Sequence, residues 1–150
     1  MRIHAIFAVL IATIYAETAS ADLEPYKDYD ISDAVWAITT IRVADNMDDI
    51  YLEAIKSAWA EGNEVAKALG HIEDYLILRS DLPQSGEFNL MLIVKYKTTS
   101  DRAPSKDRHD AVMTMWGQKR TEAWAKFQHE NVSGMREITG QYLMREISLR

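Results

Sequence analysis

The chain has 150 residues, no cysteine, a hydrophobic fraction of 47% and a formal charge of −6 at neutral pH. This composition supports one globular domain rather than a disordered chain. It excludes a disulfide-stapled scaffold, and the acidic balance argues against binding a phosphate backbone, which needs a basic face.

Arg2 opens an apolar run, Ile3 to Ala16, interrupted by His4 and Thr13. Ala19-Ser20-Ala21 follows, with small residues at both positions that a signal peptidase reads. A basic start, a short apolar core and this site predict a secretory signal peptide over 1–21, and so a periplasmic or secreted protein. The run is shorter than the roughly 20 apolar residues of a membrane span. No membrane association is therefore expected after cleavage, although an uncleaved anchor is the alternative reading. Arg2 and Glu17 cancel, so their removal leaves the charge unchanged.

Residues 22–33 are polar, contain Pro25, Tyr26 and Tyr29, and read as an N-terminal arm ahead of a domain over 34–150. The β-branched density of Asp33 to Ala44 predicts a first strand. Val35, Ala37, Thr39, Ile41 and Val43 share one face; Trp36, Ile38, Thr40 and Arg42 share the other. Asp45 and Asn46 are N-cap residue types, and Asp48 and Asp49 suit a first turn, so a helix is expected to begin there. Tyr51, Ile55, Trp59, Val65, Ala66 and Leu69 fall near one stripe. Gly62 interrupts it at about 1 kcal/mol relative to alanine, and Gly70 is the expected stop.

From His71 to Lys97, two runs rich in Ile, Leu, Val and Tyr flank a break containing Pro83 and Gly86, which predicts a β-hairpin. In its second run Phe88, Leu90, Leu92, Val94 and Tyr96 form one face; Asn89, Met91, Ile93 and Lys95 form the other. A polar loop with Pro104 leads to a second helical region, about Lys106 to Asn131, with Met113, Trp116, Ala123, Trp124 and Phe127 as its apolar positions. Gly117 divides it and Gly134 ends it. The segment from Gly140 to Arg150 alternates as a closing strand, with Leu143, Ile147 and Leu149 on one face.

The order strand, helix, strand, strand, helix, strand predicts an α+β fold of ferredoxin-like type, an antiparallel sheet with both helices on one face. The uncovered face would then hold Trp36, Ile38, Tyr75, Ile77, Met91 and Ile93. An apolar patch of that size marks an interaction surface, and a second copy of the chain is its economical cover, giving a homodimer.

This order, size and two-faced sheet resemble the dimeric α+β barrel superfamily. Its members include antibiotic biosynthesis monooxygenases, stress-responsive barrel proteins, chlorite dismutase-like proteins and ethyl tert-butyl ether degradation proteins. The closing GMREITGQYLMREISLR is also similar to the C-terminus of small uncharacterised exported bacterial proteins. The resemblance covers about Val35 to Leu149. It implies two sheets packed face to face, with a pocket between sheet and helices. The cofactor-free monooxygenases of the superfamily use polar and aromatic pocket residues. The ligand-binding candidates this implies are Trp59, His71, Tyr75, Tyr96, Trp116 and Trp124. Aromatic residues at such spacings also serve as ordinary core.

No HxxxH, HExxH or cysteine pair is present to hold a metal. There is no GxSxG, P-loop or dinucleotide fingerprint either. No metal and no cofactor is therefore predicted; the superfamily resemblance leaves an axial haem-ligand role for His71 or His109 as the alternative, with no motif behind it. His71 follows Gly70, where an imidazole suits the negative end of a helix; His109 and His129 read as surface residues. Three functions fit: a binder of an apolar or aromatic small molecule, a cofactor-independent monooxygenase-type enzyme, and a purely structural periplasmic dimer.

Overall fold

A computed structural model describes residues 22–82, 86–117, 122, 125 and 132–150. The segment 1–21, where a signal peptide is expected, lies outside the described residues, as do Trp124 and His129. Strand β1 (Tyr29–Val43) leads to a long helix in three parts: α1 (Asp48–Ile55), a π-helical turn (Lys56–Ala60) and α2 (Glu61–Ala68). Strands β2 (Asp74–Arg79) and β3 (Leu90–Tyr96) follow, then a 3-10 turn (Thr99–Arg102) and helix α3 (Lys106–Trp116). A short helix α4 (Val132–Met135) runs directly into β4 (Arg136–Leu149). The sheet order is β2-β3-β1-β4 with every pairing antiparallel. Together with the helical crossovers after β1 and β3, this is the ferredoxin-like α+β fold.

The alternation of β1 sets the core. Val35, Ile41 and Val43 are buried, and Ile41 and Val43 cluster with Leu90 and Leu92 of β3 and Tyr51, Ile55 and Ala58 of the long helix. The Tyr51 hydroxyl accepts a hydrogen bond from Arg136 Nη1 at 3.0 Å, which ties the start of β4 to α1. β1 begins at Tyr29, earlier than Asp33, because its first residues pair with the end of β4: Tyr29 opposite Leu149 and Ile31 opposite Ile147. Most of the expected 22–33 arm is thus ahead of the strand, but Tyr29–Asp33 belongs to it. The register shifts between Ile31 and Val35. There Arg145 Nη1 donates to the Ser32 and Asp33 carbonyls at 2.7 and 2.9 Å, so the irregularity keeps its acceptors satisfied.

The helix starts one turn position later than the cap residues suggest. Met47 occupies the N-cap position without a side-chain bond, while Asn46 takes a left-handed turn conformation (φ +64°) that asparagine tolerates. Asp48 and Asp49 sit in the first turn as expected. Gly70 and Gly117 both follow helix ends with positive φ. Glu122 and Ala125 are helical. Among the described residues no helix is long and apolar enough to cross a membrane.

The hairpin register corrects one expectation. Tyr75 pairs with Val94 and Ile77 with Leu92, so both lie on the helix-covered face. Ile77 packs against the core and Tyr75 meets Trp59 edge-on with ring centres 5.5 Å apart. Neither belongs to the uncovered face. Their places there are taken by Leu76 and Leu78, opposite Ile93 and Met91. A shift of one residue moves every side chain of a strand to the other side.

Asn89, just ahead of β3, extends the β1–β3 pairing with its side chain. Oδ1 accepts from Val43 N at 2.8 Å and Nδ2 donates to Val43 O at 3.0 Å. Asn89→Ala leaves both part-buried groups without these bonds and is expected to lower unfolding stability by about 1–3 kcal/mol. Asn89→Asp keeps the acceptor alone and should fall between the two. Urea denaturation midpoints of the three proteins check the order.

Candidate functional site

The groove between the long helix and α3 holds two adjoining cavities. The first, about 200 Å³, is lined by Ala58, Trp59, Gly62, Asn63, Val112 and Trp116. Its apolar character follows from two helix faces. Trp59 is half-buried at the end of the π-helical turn, and Ala58 takes the core position beside it. Asn63 Nδ2 donates to the Trp59 carbonyl at 2.8 Å, so this polar wall residue is tied to the turn it faces. π turns inserted in α-helices occur frequently at functional sites.

Gly62 has a steric role that composition alone does not reveal. A Cβ at this position would come within 3.0 Å of Trp116 Cη2. The indole of α3 lies on the glycine, and this contact explains an interruption in an otherwise regular helical pattern. The Trp116 Nε1–H is buried, with no hydrogen-bond partner among the described residues. A buried donor of this kind costs free energy unless something accepts from it.

The second cavity, about 300 Å³, shares Asn63 and Val112 with the first. Its walls include His71, Tyr96, Arg102, Arg108 and His109. His71 comes from the turn after α2, Tyr96 from the end of β3, Arg102 from the 3-10 turn, and Arg108 and His109 from the first turns of α3. Ser105 caps α3 by accepting from Arg108 N at 3.3 Å. The Arg102 guanidinium lies 6.0 Å from the Tyr96 ring centre, a cation–π distance. Arg108 donates to the Ala103 carbonyl.

Of the six ligand-binding candidates, the structure brings Trp59 and Trp116 to the first cavity, and His71 and Tyr96 to the second. Tyr75 lines neither; its hydroxyl donates to Glu64 at 2.7 Å, and that bond, followed by burial, pushes its pKa up to about 12. It is a neutral phenol at ordinary pH and no base. Asn63, Arg102 and Arg108 are the site residues that sequence reasoning missed. The spacing of Arg108, Val112 and Trp116, each four residues on, was the available signal: it sets all three on one side of α3.

A wider bowl of about 550 Å³ opens between the Ala44–Asp48 turn and Arg79–Leu82. It carries Asp45, Asp48 and Asp81, yet among the described residues no group of three His, Cys, Asp or Glu side chains is placed to hold a metal ion.

The uncovered sheet face is the other candidate surface. Leu76, Ile93, Ile38 and Tyr142 form one cross-strand row through all four strands. Leu78, Met91, Thr40 and Gly140 form the next. Trp36 pairs with Lys95 and Met144, and the Lys95 ammonium lies 5.1 Å from its ring centre. Tyr142 and Met144 are the contributions of β4 to this face.

No protein-family model and no curated protein matches the chain. Solved structures do resemble it. A NIPSNAP family protein of unknown function from Agrobacterium tumefaciens is 19% identical, with 82% of this chain and 95% of that chain covered at a TM-score of 0.48. A Shewanella oneidensis protein is 11% identical over 81% and 99%, with a TM-score of 0.49. A Bacteroides fragilis protein, described as dimeric, of unknown function and ferredoxin-like in fold, is 14% identical over 81% and 100%, with a TM-score of 0.40. The ferredoxin-like assignment of this chain rests on its own strand order and register.

The Gly62–Trp116 contact makes a direct prediction. Gly62→Ala should displace the indole and shift the Trp116 side-chain N–H resonance in a ¹H–¹⁵N spectrum, while that of Trp36 on the far sheet face stays in place. Trp116→Phe assigns the peak.

Proposed function

We propose that the protein is an exported homodimer that binds an apolar or aromatic small molecule in the groove between its long helix and α3. The observation that carries the binding reading is the cavity between Trp59 and Trp116. Its walls are apolar apart from Asn63, which suits orientation of a ligand rather than acid–base chemistry. None of its lining side chains titrates near neutral pH, which favours binding over turnover in that compartment. The buried Trp116 N–H supplies a donor that a ligand acceptor would satisfy. The neutral aromatic 2-naphthamide should quench tryptophan emission saturably, and Trp116→Ala should lose that binding while keeping its circular dichroism spectrum. Equal affinity in the variant would move the ligand elsewhere.

The dimer reading is supported by the uncovered face. Leu76, Leu78, Tyr142 and Met144 are 40%, 49%, 50% and 50% exposed in one protomer. Full burial of a large apolar side chain contributes roughly 1.5–3 kcal/mol, so a two-fold partner on this face gains from several of them at once, against the entropy of association. Ile93 is 6% exposed within a single protomer, so a charge there would disturb the fold as well as the contact. Leu76→Glu is the cleaner variant: the protomer tolerates it, and the dimer would have to bury the carboxylate without a partner. Export is supported by the small residues at Ala19 and Ala21. Native mass spectrometry of protein recovered from the periplasm should give two chains beginning at Asp22 for the natural sequence and one for Leu76→Glu. A monomeric natural protein sinks the dimer, and an intact Met1 terminus sinks export.

A further inference from the structure

The two cavities are one groove with opposite ends. On α3, Arg108, Val112 and Trp116 follow one another along the groove, a span of about 12 Å at the helical rise. On the facing helix, Trp59, Asn63 and Ala66 run the opposite way toward His71. The end between Trp59 and Trp116 is apolar. The end near the N-terminus of α3 gathers Arg102, Arg108, His71 and His109 in a protein whose formal charge is −6.

The donors of these side chains are not used up by the fold. Among the described residues no carboxylate forms an ion pair with Arg102 or Arg108, and neither imidazole has a hydrogen-bond partner. Asp101, the acid on this wall, has Oδ2 engaged by Thr98 N at 3.0 Å and Thr98 Oγ1 at 2.9 Å, where it closes the capping box of the 3-10 turn. Arg108 gives one N–H to Ala103 and keeps others for a ligand. Guanidinium groups and a helix N-terminus are both suited to an oxyanion.

We infer that the ligand is an amphiphilic oxyanion, with its ring or apolar body between Trp59 and Trp116 and its carboxylate or phosphate held by Arg102, Arg108, His71 and His109. This rests on the binding reading above and names the chemical class of the ligand. Asn63 and Val112, shared by both cavities, mark the junction between body and head group.

The test compares 2-naphthoate and 2-naphthyl phosphate with neutral 2-naphthamide, titrated into the purified protein by calorimetry. At least one anion should bind tenfold or more tighter than the amide, and the better of the two identifies the head group. Arg102→Gln, at an exposed position, should lower the affinity of that anion about tenfold and leave the amide unchanged. If amide and anions bind equally in the natural protein, or if Arg102→Gln and His109→Gln together leave the preference intact, the inference is overturned while the cavity reading stands. If none of the three ligands binds, both fall.

Discussion

Everything in this fold follows from a central strand that is apolar on both sides. Val35, Ile41 and Val43 turn toward the helices, and Trp36 and Ile38 turn away from them. β1 is hydrogen-bonded along both edges, to β3 and to β4, so neither edge can relieve that demand. The helices meet one side with Tyr51, Ile55 and Ala58. Among the described residues the other side acquires partners within the sheet plane: Ile93 and Thr40 are buried by their neighbours, while the outer strands leave Leu76, Leu78, Tyr142 and Met144 open. The exposure of apolar side chains on this face is therefore built into the alternation of the strands.

Much of the architecture was legible because it depends on periodicity and on chain-breaking residues. The order of elements, both faces of β1 and β3, and the glycines at 70 and 117 could be read directly. The orientation of β2 could not. Its residues alternate plausibly either way, and what decides between Tyr75 and Leu76 is the register with β3, which sets Tyr75 opposite Val94. Long-range side-chain substitutions for backbone were also hidden. The pairing of Asn89 with Val43 and the Arg145 bonds to the carbonyls of Ser32 and Asp33 join residues far apart in sequence, and no local pattern signals them.

The site shows the same division. Aromatic candidates were found by type, and Trp59 and Trp116 do share a wall. Their meeting depends on Gly62, which reads locally as a weak point of a helix and serves spatially as the seat of an indole ring. The basic end of the groove was missed because Arg102 and Arg108 lie in a stretch whose alternating charges resemble any solvated loop; only the turn at Thr99–Arg102 and the cap at Ser105 bring them round to His71.

The pairing of β1 with β4 has a kinetic meaning as well. Thr40 and Gly140 are neighbours across the ladder although 100 positions separate them. The β2–β3 hairpin can form locally and offer β3 to one edge of β1, but the other edge waits for a partner that emerges long after it. Non-local pairing of this kind slows folding. One edge of the central strand therefore stays open until the C-terminal strand is available, and an unpaired strand edge exposed during folding is prone to association with other chains.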